Sequence, residues 1–306
     1  MKNPNNTPHN PELALEVRGL IKSYGKVQAL RGIDLEVRQG EIFGFLGPNG
    51  AGKTTTIRCL LDMIRPDAGS IHLLGLNPKV DPVAVQALTG YLPGEVQYYE
   101  NMTAEHQLRF YGDMRNGRAD WKYVHELAER LSLNMKQAIK NLSKGNKQKI
   151  GVIQALMHHP KLLLLDEPTS GLDPLMQQEV LSMLREANAA GATVFFSSHI
   201  MSEVESLAER VAIIRLGEIV ETAETNVLTG RSVRRLIVRL KRPVSNLSIE
   251  NLPGVEVLTS TDETSFTLQV TGDMEKLVKA LGDYPVLDLE TDHPSLEETF
   301  LAYYKK

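Results

Sequence analysis

The sequence is poor in cysteine and has no long hydrophobic run. Cys59 is the only cysteine among 306 residues, so an internal disulfide is excluded and a reducing compartment is expected. A membrane-spanning helix needs about 18 consecutive apolar residues, whereas the strongest apolar run, residues 162–165, is short and ends in acidic side chains. A role at a membrane would therefore require a second chain to provide the attachment.

Positive charge is not in surplus either. The chain has 34 Lys and Arg against 38 Asp and Glu, a formal net charge of −4, so nucleic acid is not expected as a main partner. Residues 1–12 are rich in Asn and Pro and lack an apolar core. We expect this segment to be disordered, and neither a signal peptide nor a membrane anchor.

Hydrophobic patterning predicts a mixed α/β protein. Alternating apolar residues at 13–17 and 33–37 predict half-buried strands of an antiparallel sheet. A continuous apolar strand at 42–46 is followed by a glycine-rich loop and then by a helix with apolar residues at helical spacing, namely Ile57, Leu60, Leu61 and Ile64. Strand, loop and helix form the first unit of a parallel α/β core.

The rest of the chain predicts three further regions. Residues 81–140 are mostly helical in pattern, with the clearest amphipathic stretch at 121–133. Buried strands are predicted at 162–165 and 193–197, and a hairpin at 211–221. The pattern changes near 229–232, after which we expect a small α+β domain with strands at 236–240, 255–259, 265–270 and 286–289, an amphipathic helix at 274–281 and a last helix from Ser295.

The glycine-rich loop carries the strongest functional signal. It fits the pattern G-x-x-x-x-G-K-[ST], with Gly47, Pro48, Asn49, Gly50, Ala51, Gly52, Lys53 and Thr54. Glycines let backbone N–H groups surround phosphates, and the helix that follows adds the positive end of its dipole. Lys53 is predicted to reach the β- and γ-phosphates of ATP, and the Thr54 hydroxyl to bind Mg²⁺. Thr55, the next residue of the helix, is also assigned to nucleotide binding.

Two carboxylates end the apolar strand at 162–165. Asp166 at the strand tip suits Mg²⁺, directly or through water. Glu167, one residue further, can polarise the attacking water as a general base. A strand that ends in Asp-Glu is common by itself, and it is the phosphate-binding loop upstream that makes hydrolysis of ATP the predicted reaction.

With its motifs in the family's order along residues 13–228, the chain resembles the ABC ATPase family. Residues 142–146, Leu-Ser-Lys-Gly-Asn, are similar to the family signature Leu-Ser-Gly-Gly-Gln. Residues 168–173 look like the segment that leads through the D-loop to Asp173. His199 falls where the switch histidine belongs, and Tyr24 falls where an aromatic ring stacks on adenine.

The resemblance implies a P-loop NTPase of the ABC type. Its ATPase domain, residues 13–228, would have a mixed sheet core, an antiparallel β subdomain and a helical subdomain over about residues 95–160, and the small α+β domain at 232–306 would be accessory. ATP and Mg²⁺ are the implied ligands, with Glu167 and His199 catalytic. In the family, the helix that begins near Ser143 and Gly145 contacts ATP on a second copy, so the resemblance implies a head-to-tail homodimer with ATP between the subunits.

Two departures from the family pattern stand out. The signature has Lys144 and Asn146 in place of Gly and Gln, and Lys144 either faces solvent or adds positive charge near the nucleotide. After residues 91–93, where the family usually has Gln, this chain has Gly94 and then Glu95. Glu95 is the expected substitute for that Gln as a ligand of the metal. The alternative is that Glu95 is a solvated loop charge and that a backbone group or water replaces the missing Gln.

The detailed sequence of three segments, residues 91–95, 142–146 and 295–301, resembles the subgroup that drives export of antibiotics, drugs and lipid-like molecules. The resemblance implies a separate multi-helix permease that holds this chain at the cytoplasmic face of the cell membrane. Residues after Glu95 are expected in the groove that receives a permease helix, or else in the core of the helical subdomain: Tyr98, Tyr99, Met102, Phe110 and Tyr111.

Two other functions stay open at this point. A soluble ABC ATPase acting on ribosomes or nucleic acid usually has two fused ATPase domains, a coiled coil or zinc insertions, and this chain shows one phosphate loop, no heptad run and no cysteine cluster. A nucleotide-gated binding module without catalysis is opposed by the presence of both Glu167 and His199. His158 and His159 lack metal-ligand spacing and are predicted to be structural.

Overall fold

A computed structural model describes residues 10–115, 117, 119–228, 233–244, 252–262, 264–271 and 274–292. The chain divides into two compact units, Met1–Thr222 and Ala223–Lys306. The predicted last helix from Ser295 lies outside the described residues, as do residues 1–9 of the segment predicted to be disordered. Residues 10–12 form a turn, in which the carbonyls of Pro11 and Glu12 accept hydrogen bonds from Gln39.

The described elements alternate between strands and helices along the chain. The strands up to residue 224 are β1 (Leu13–Tyr24), β2 (Val27–Arg38), β3 (Ile42–Leu46), β4 (Ala68–Leu73), β5 (Thr89–Leu92), β6 (Leu162–Asp166), β7 (Thr193–Ser198), β8 (Arg210–Arg215) and β9 (Glu218–Glu224). The helices up to residue 207 are α1 (Lys53–Leu60), α2 (Pro82–Leu88), α3 (Ala104–Met114), α4 (Trp121–Arg130), α5 (Lys144–Leu156), α6 (Pro174–Ala189) and α7 (Met201–Leu207), with a 3₁₀ turn at Ile139–Asn141.

Six strands form the sheet that carries the site, in the order β5-β6-β7-β3-β8-β9. The pairings from β5 through β8 are parallel, and β3, β6 and β7 are buried along their whole length. Parallel strands end at the same edge of a sheet. Leu46, Asp166 and Ser198 therefore end three neighbouring strands side by side, and the loops that follow them meet there.

A second sheet has the order β2-β1-β4, with antiparallel pairing throughout. Leu15 and Val17 point into the core and Arg18 points out, as the alternating pattern predicts. Phe43 of β3 and Phe195 of β7 stack with ring centroids 6.0 Å apart within the same apolar cluster. Burial of one such ring stabilises the fold by about 1.5–3 kcal/mol. The predicted antiparallel subdomain and mixed sheet core are confirmed.

Two details of the sequence prediction are wrong. Helix α1 ends at Leu60 rather than continuing to Ile64, because Asp62 adopts a left-handed backbone (φ 52°) that no helix tolerates. The region predicted as mostly helical contains the strand β5, which pairs with β6. Leu61 nevertheless packs into the core, so its apolar character was a correct sign of burial but not of helix.

The second unit has its own sheet and core. A short helix, α8 (Thr225–Leu228), precedes β10 (Val233–Leu240), β11 (Val255–Asp262), β12 (Ser265–Thr271), α9 (Glu275–Leu281) and β13 (Val286–Asp292). The strand order is β11-β12-β10-β13, with every neighbouring pair antiparallel. Helix α9 joins β12 to β13, and β10 lies between these two strands in the sheet, which is the arrangement of a split β-α-β unit. The predicted α+β character is confirmed, and the core of this unit contains Leu236, Val238, Leu240, Phe266, Leu268, Val270, Leu277 and Leu281.

Candidate active site

The glycine-rich loop joins the end of β3 to the start of α1. A Cβ added at Gly47 would lie 2.5 Å from the carbonyl oxygen of Ile214, so no larger residue fits there. Gly52 caps α1 with φ +114°, in a backbone region that L-residues with side chains rarely adopt. The conformation of the loop therefore depends on these glycines. The backbone N–H groups at the start of α1 have no intrahelical partners.

Lys53 folds back over its own loop. Its ammonium donates hydrogen bonds to the carbonyl oxygens of Gly47 (2.7 Å) and Pro48 (3.2 Å) and lies 3.5 Å from Glu167 Oε1. The side chain is only 5% exposed. A buried ammonium needs such partners, because an unpaired buried charge is strongly disfavoured. The result is a positive charge held at the centre of the loop.

Asp166 is buried and accepts a hydrogen bond at each of its carboxylate oxygens. Its Oδ2 accepts a hydrogen bond from the Thr54 hydroxyl at 2.6 Å, and its Oδ1 accepts one from the Ser197 hydroxyl at 2.5 Å. The residue is 1% exposed. Two hydroxyl donors, one from α1 and one from β7, therefore fix the plane of the carboxylate.

Glu167 has an unusual backbone. It adopts φ 51°, a left-handed conformation that is uncommon outside glycine and concentrates at functional sites. Its N–H donates to both the carbonyl oxygen and the hydroxyl of Ser197, each at 3.2 Å. Its Oε1 lies 3.1 Å from His199 Nδ1. The carboxylate thus stands between an imidazole and the Lys53 ammonium.

The oxygen ligands present suit Mg²⁺. Thr54 and Asp166 bring a hydroxyl and a carboxylate oxygen to one point, and Mg²⁺ prefers hard oxygen ligands, usually keeping several waters and taking phosphate oxygens from a substrate. Within the described ranges no group of three or more His, Cys, Asp or Glu residues could hold a metal. A hydroxyl and a carboxylate oxygen at one point fit a metal that is held jointly by protein and phosphate.

The signature residues begin α5. Ser143 caps this helix, its hydroxyl accepting from the N–H of Asn146 at 3.2 Å, and it is exposed. A Cβ added at Gly145 would lie 2.6 Å from the carbonyl oxygen of Gly171, so the helix start packs closely on the segment before Asp173. Lys144 is exposed, and its aliphatic stem lies beside Gly171. Solvent exposure in the single chain is compatible with both alternatives for Lys144, a solvent-facing side chain and a positive charge near the nucleotide.

Asp173 and Gln148 serve neighbouring parts of this region. Asp173 caps α6, with Oδ1 accepting from the N–H groups of Leu175 and Met176 at 3.1 Å each. Gln148, buried inside α5, donates to the carbonyl oxygens of Glu167 (3.0 Å) and Pro168 (3.1 Å). The signature helix is thereby tied directly to the backbone of Glu167.

Gly94 and Glu95 lie on the loop after β5. A Cβ at Gly94 would lie 2.9 Å from Asp166 Oδ2, so this glycine packs closely on the Asp166 carboxylate, while Glu95 is exposed. Burial and the negative charge of Asp166 raise the pKa of Tyr91, two residues before the loop. A side chain at position 94 would therefore require the Asp166 carboxylate or the loop to move.

Tyr24 ends β1 with its side chain half exposed. The Lys22 ammonium lies 5.6 Å from the centre of the Tyr24 ring and 3.0 Å from Asp67 Oδ1, and Asp67 Oδ2 accepts from the Ser23 N–H at 2.6 Å. Asp67 therefore holds both residues that precede the ring.

The structure brings five of the predicted residues into one cluster. Contacts link Lys53, Thr54, Asp166, Glu167 and His199. Other predicted residues occupy different positions: Tyr24 at the end of β1, Ser143 and Asp173 at helix starts, Gly145 inside the first turn of α5, and Thr55 in the first turn of α1.

Sequence reasoning missed three supporting residues. They are Gln148, Ser197 and Glu203, the last accepting hydrogen bonds from Thr169 and from Ser198. A usable signal existed for Ser197, since two serines interrupt the otherwise apolar end of β7 beside the carboxylates of β6.

The two adjacent histidines lie away from the cluster. His158 is part-buried with Nε2 2.9 Å from Arg115 Nη1, and burial together with the Arg115 charge lowers the pKa of His158 to about 4. His159 stacks on Tyr123 with ring centroids 4.5 Å apart. Both make packing and hydrogen-bond contacts, as predicted for structural residues.

A phosphate-binding loop, a hydroxyl–carboxylate pair and a carboxylate–histidine pair at one sheet edge define a protein that binds and cleaves nucleoside triphosphates. Residues 30–170 match the model of the ABC transporter family. The linearmycin resistance ATP-binding protein LnrL of Bacillus subtilis (strain 168) is 34% identical over 304 residues, covering 94% of this chain and 97% of the relative. The chain belongs to the ABC transporter family, as an ATP-binding subunit with ATPase activity.

Other relatives and solved structures agree with this assignment. The bacitracin transport ATP-binding protein BcrA of Bacillus licheniformis is 36% identical over 74% of both chains, and the daunorubicin resistance ATP-binding protein DrrA3 of Streptomyces coeruleorubidus is 31% identical over 95% of both. A solved ATP-binding subunit of an ABC transporter matches with a TM-score of 0.66 and 28% identity, over 71% of this chain and 92% of that one. A dimeric ATP-binding cassette bound to ADP and Pi shares the fold, with a TM-score of 0.61 and 21% identity over 69% and 98%.

Proposed function

We propose that this chain powers the export of antibiotic-like, drug-like or lipid-like molecules through a separate membrane permease. The observation that carries the proposal is the cluster at the edge of the six-stranded sheet, where Thr54 contacts Asp166 and Glu167 contacts both Lys53 and His199. The names of three relatives, which refer to linearmycin, bacitracin and daunorubicin, support export as the process that the cluster drives.

Each residue of the cluster has a role in hydrolysis. The backbone N–H groups of the loop and the Lys53 ammonium bind the phosphates of ATP. Thr54 and Asp166 hold Mg²⁺, which neutralises phosphate charge when bound. Glu167 takes a proton from the attacking water, and His199, 3.1 Å from Glu167 Oε1, orients that carboxylate toward the γ-phosphate.

Two copies are proposed to act together, head to tail, with ATP between them. Ser143 is exposed at the N-terminus of α5, which has 13 residues and presents N–H groups to an anion. Gly145 packs closely against Gly171, and Asp173 caps the next helix, α6. Ser143 and Gly145 of one copy would contact the γ-phosphate bound by the other, so hydrolysis would open the dimer.

The membrane partner is proposed to dock beside α3. Tyr99 is 58% exposed and meets Phe110 edge to face with ring centroids 5.7 Å apart, and Met114 on the same helix is 68% exposed. Tyr98 differs, because it is part-buried with its hydroxyl donating to the carbonyl oxygen of Lys147. In the part of the chain that the structure describes, no helix has the length and apolar character to cross a bilayer. A separate permease would hold this chain at the cytoplasmic face of the membrane.

Three assignments complete the proposal. Tyr24 stacks on adenine with its exposed ring. Glu95 replaces the missing glutamine as the loop residue that approaches the metal, since its neighbour Gly94 already touches Asp166. Residues 232–306 form an accessory domain that reinforces or regulates the dimer, since all the residues assigned to ATP lie before residue 200.

Glu167→Gln tests the proposal most directly. The amide keeps the shape of the side chain but cannot accept a proton, so turnover should fall by about 10²-fold or more while ATP binding persists. The variant should form an ATP-bound dimer on size-exclusion chromatography with Mg²⁺. Glu129→Gln, on the exposed face of α4, is the matched control. Undiminished hydrolysis by Glu167→Gln would refute the role of the base, and failure of the chain to co-purify with any membrane protein would refute the permease.

A further inference from the structure

The hydroxyl of Ser197 stands between the two carboxylate residues of the site. It donates to Asp166 Oδ1 at 2.5 Å and accepts from the Glu167 N–H at 3.2 Å. Ser197 is fully buried, and it is paired with Asp166 in the parallel register of β6 and β7. One small side chain therefore contacts both the acid assigned to the metal and the backbone of the general base.

The position of this hydroxyl decides which oxygen of Asp166 is available. Oδ1 is occupied by Ser197, whereas Oδ2 faces Thr54 at 2.6 Å, where the metal ligands converge. Without the bond to Oδ1, the carboxylate could rotate about its terminal torsion, which has broad energy wells. A hydrogen bond to a charged acceptor is among the stronger ones in proteins and suits this task.

The same hydroxyl supports a strained backbone. Glu167 has φ 51°, and its N–H is shared between the carbonyl oxygen and the hydroxyl of Ser197. Conformations of this kind persist only where the surroundings hold them in place. Loss of the hydroxyl would therefore loosen the base as well as the metal ligand.

We propose that Ser197 is a positioning residue that aims Asp166 Oδ2 at Mg²⁺ and holds the backbone of Glu167. The inference rests on the proposed role of Asp166 in Mg·ATP binding. Ser198 supplies a natural comparison on the same strand. It is equally buried, at 2% exposed, but its hydroxyl donates to Glu203 Oε2 at 2.7 Å and not to Asp166.

The test uses the full chain and compares Ser197→Ala with Ser198→Ala. Binding of a fluorescent ATP analogue is measured in EDTA and across a Mg²⁺ titration, together with the ATPase rate and the melting temperature. For Ser197→Ala we expect a half-saturating Mg²⁺ concentration raised about tenfold, corresponding to the loss of one charge-assisted hydrogen bond, and a lower kcat. Binding in EDTA should be unchanged. For Ser198→Ala the Mg²⁺ dependence should match that of the wild type.

A second variant covers the case in which Ser197→Ala does not fold. Ser197→Cys keeps a side chain of similar size with a weak S–H donor, so its Mg²⁺ requirement should lie between those of the wild type and Ser197→Ala. Equal Mg²⁺ titrations for the wild type and Ser197→Cys would overturn the inference, as would equal shifts for Ser197→Ala and Ser198→Ala. If the wild type itself shows no Mg²⁺-dependent ATP binding, the proposed function fails rather than this inference alone.

Discussion

Restoring the usual glutamine at position 94 should harm this protein. A Cβ at Gly94 would lie 2.9 Å from Oδ2 and 3.3 Å from Cγ of Asp166, so Gly94→Gln must displace the carboxylate or the loop. Asp166 cannot yield freely, because the hydroxyls of Thr54 and Ser197 hold both of its oxygens. Overpacking of this kind typically costs about 1–3 kcal/mol. If that cost falls on the active geometry, turnover drops by about 5- to 150-fold, at 1.36 kcal/mol per factor of ten.

The assay is steady-state ATP hydrolysis by the purified full chain, with the melting temperature followed in parallel. Gly94→Ala should show most of the loss, since the clash is with the first side-chain atom. Gln97→Ala changes an exposed residue of the same loop and should keep the wild-type rate. Higher turnover of Gly94→Gln than of the wild type would refute the reasoning, because it would mean that the loop accommodates the side chain and that the family residue is simply missing here.

Three further outcomes are expected. Glu95→Ala should lower ATP turnover and coupling to the permease more than ATP affinity, and Glu95→Gln should keep most of the activity. An unchanged ATPase rate for Glu95→Ala, with and without permease, would show that Glu95 is only a solvent-exposed charge. The pKa of His158 is lowered to about 4 from 6.5, so the unfolded chain takes up the proton at a higher pH than the folded chain. The contribution of His158 to the free energy of unfolding is therefore fully present above pH 6.5 and declines by about 2 kcal/mol, after allowance for partial exposure, as pH falls toward 4. His158→Gln should flatten this decline when stability is measured by urea unfolding, and an equal pH dependence in the variant would contradict the argument. A chain ending near Gly230 should still bind ATP, and loss of binding by a folded truncation would place part of the site in the second unit.

Sequence patterns predicted the structure best where a single physical effect determined it. β3 spans Ile42–Leu46, as expected from an unbroken apolar run that is buried on both faces. The glycine-rich loop was predicted equally well, because Gly47 and Gly52 lie so close to neighbouring atoms that a Cβ would not fit at either position.

Prediction failed where tertiary contacts overrode local pattern. β5 contains Gly90, which weakens any strand signal, yet a Cβ there would lie only 2.1 Å from the carbonyl oxygen of Ala155, so helix α5 dictates the glycine. The end of α1 carries no Gly or Pro as a stop signal. The partners of Ser197 come from β6, some 30 residues earlier in the chain, and only the strand register brings them together.

The way Lys53 is bonded changes what its removal would mean. An ammonium has three donors, and two of them here brace the carbonyls of Gly47 and Pro48. Lys53 thus stabilises the conformation of the loop, in addition to its proposed role in binding phosphate. Lys53→Ala would remove both hydrogen bonds to the loop carbonyls and let the loop change conformation. Weaker nucleotide binding by that variant would therefore have two causes, the loss of the charge and the altered loop conformation. Lys53→Arg, which keeps the charge but changes the donor geometry, separates the two.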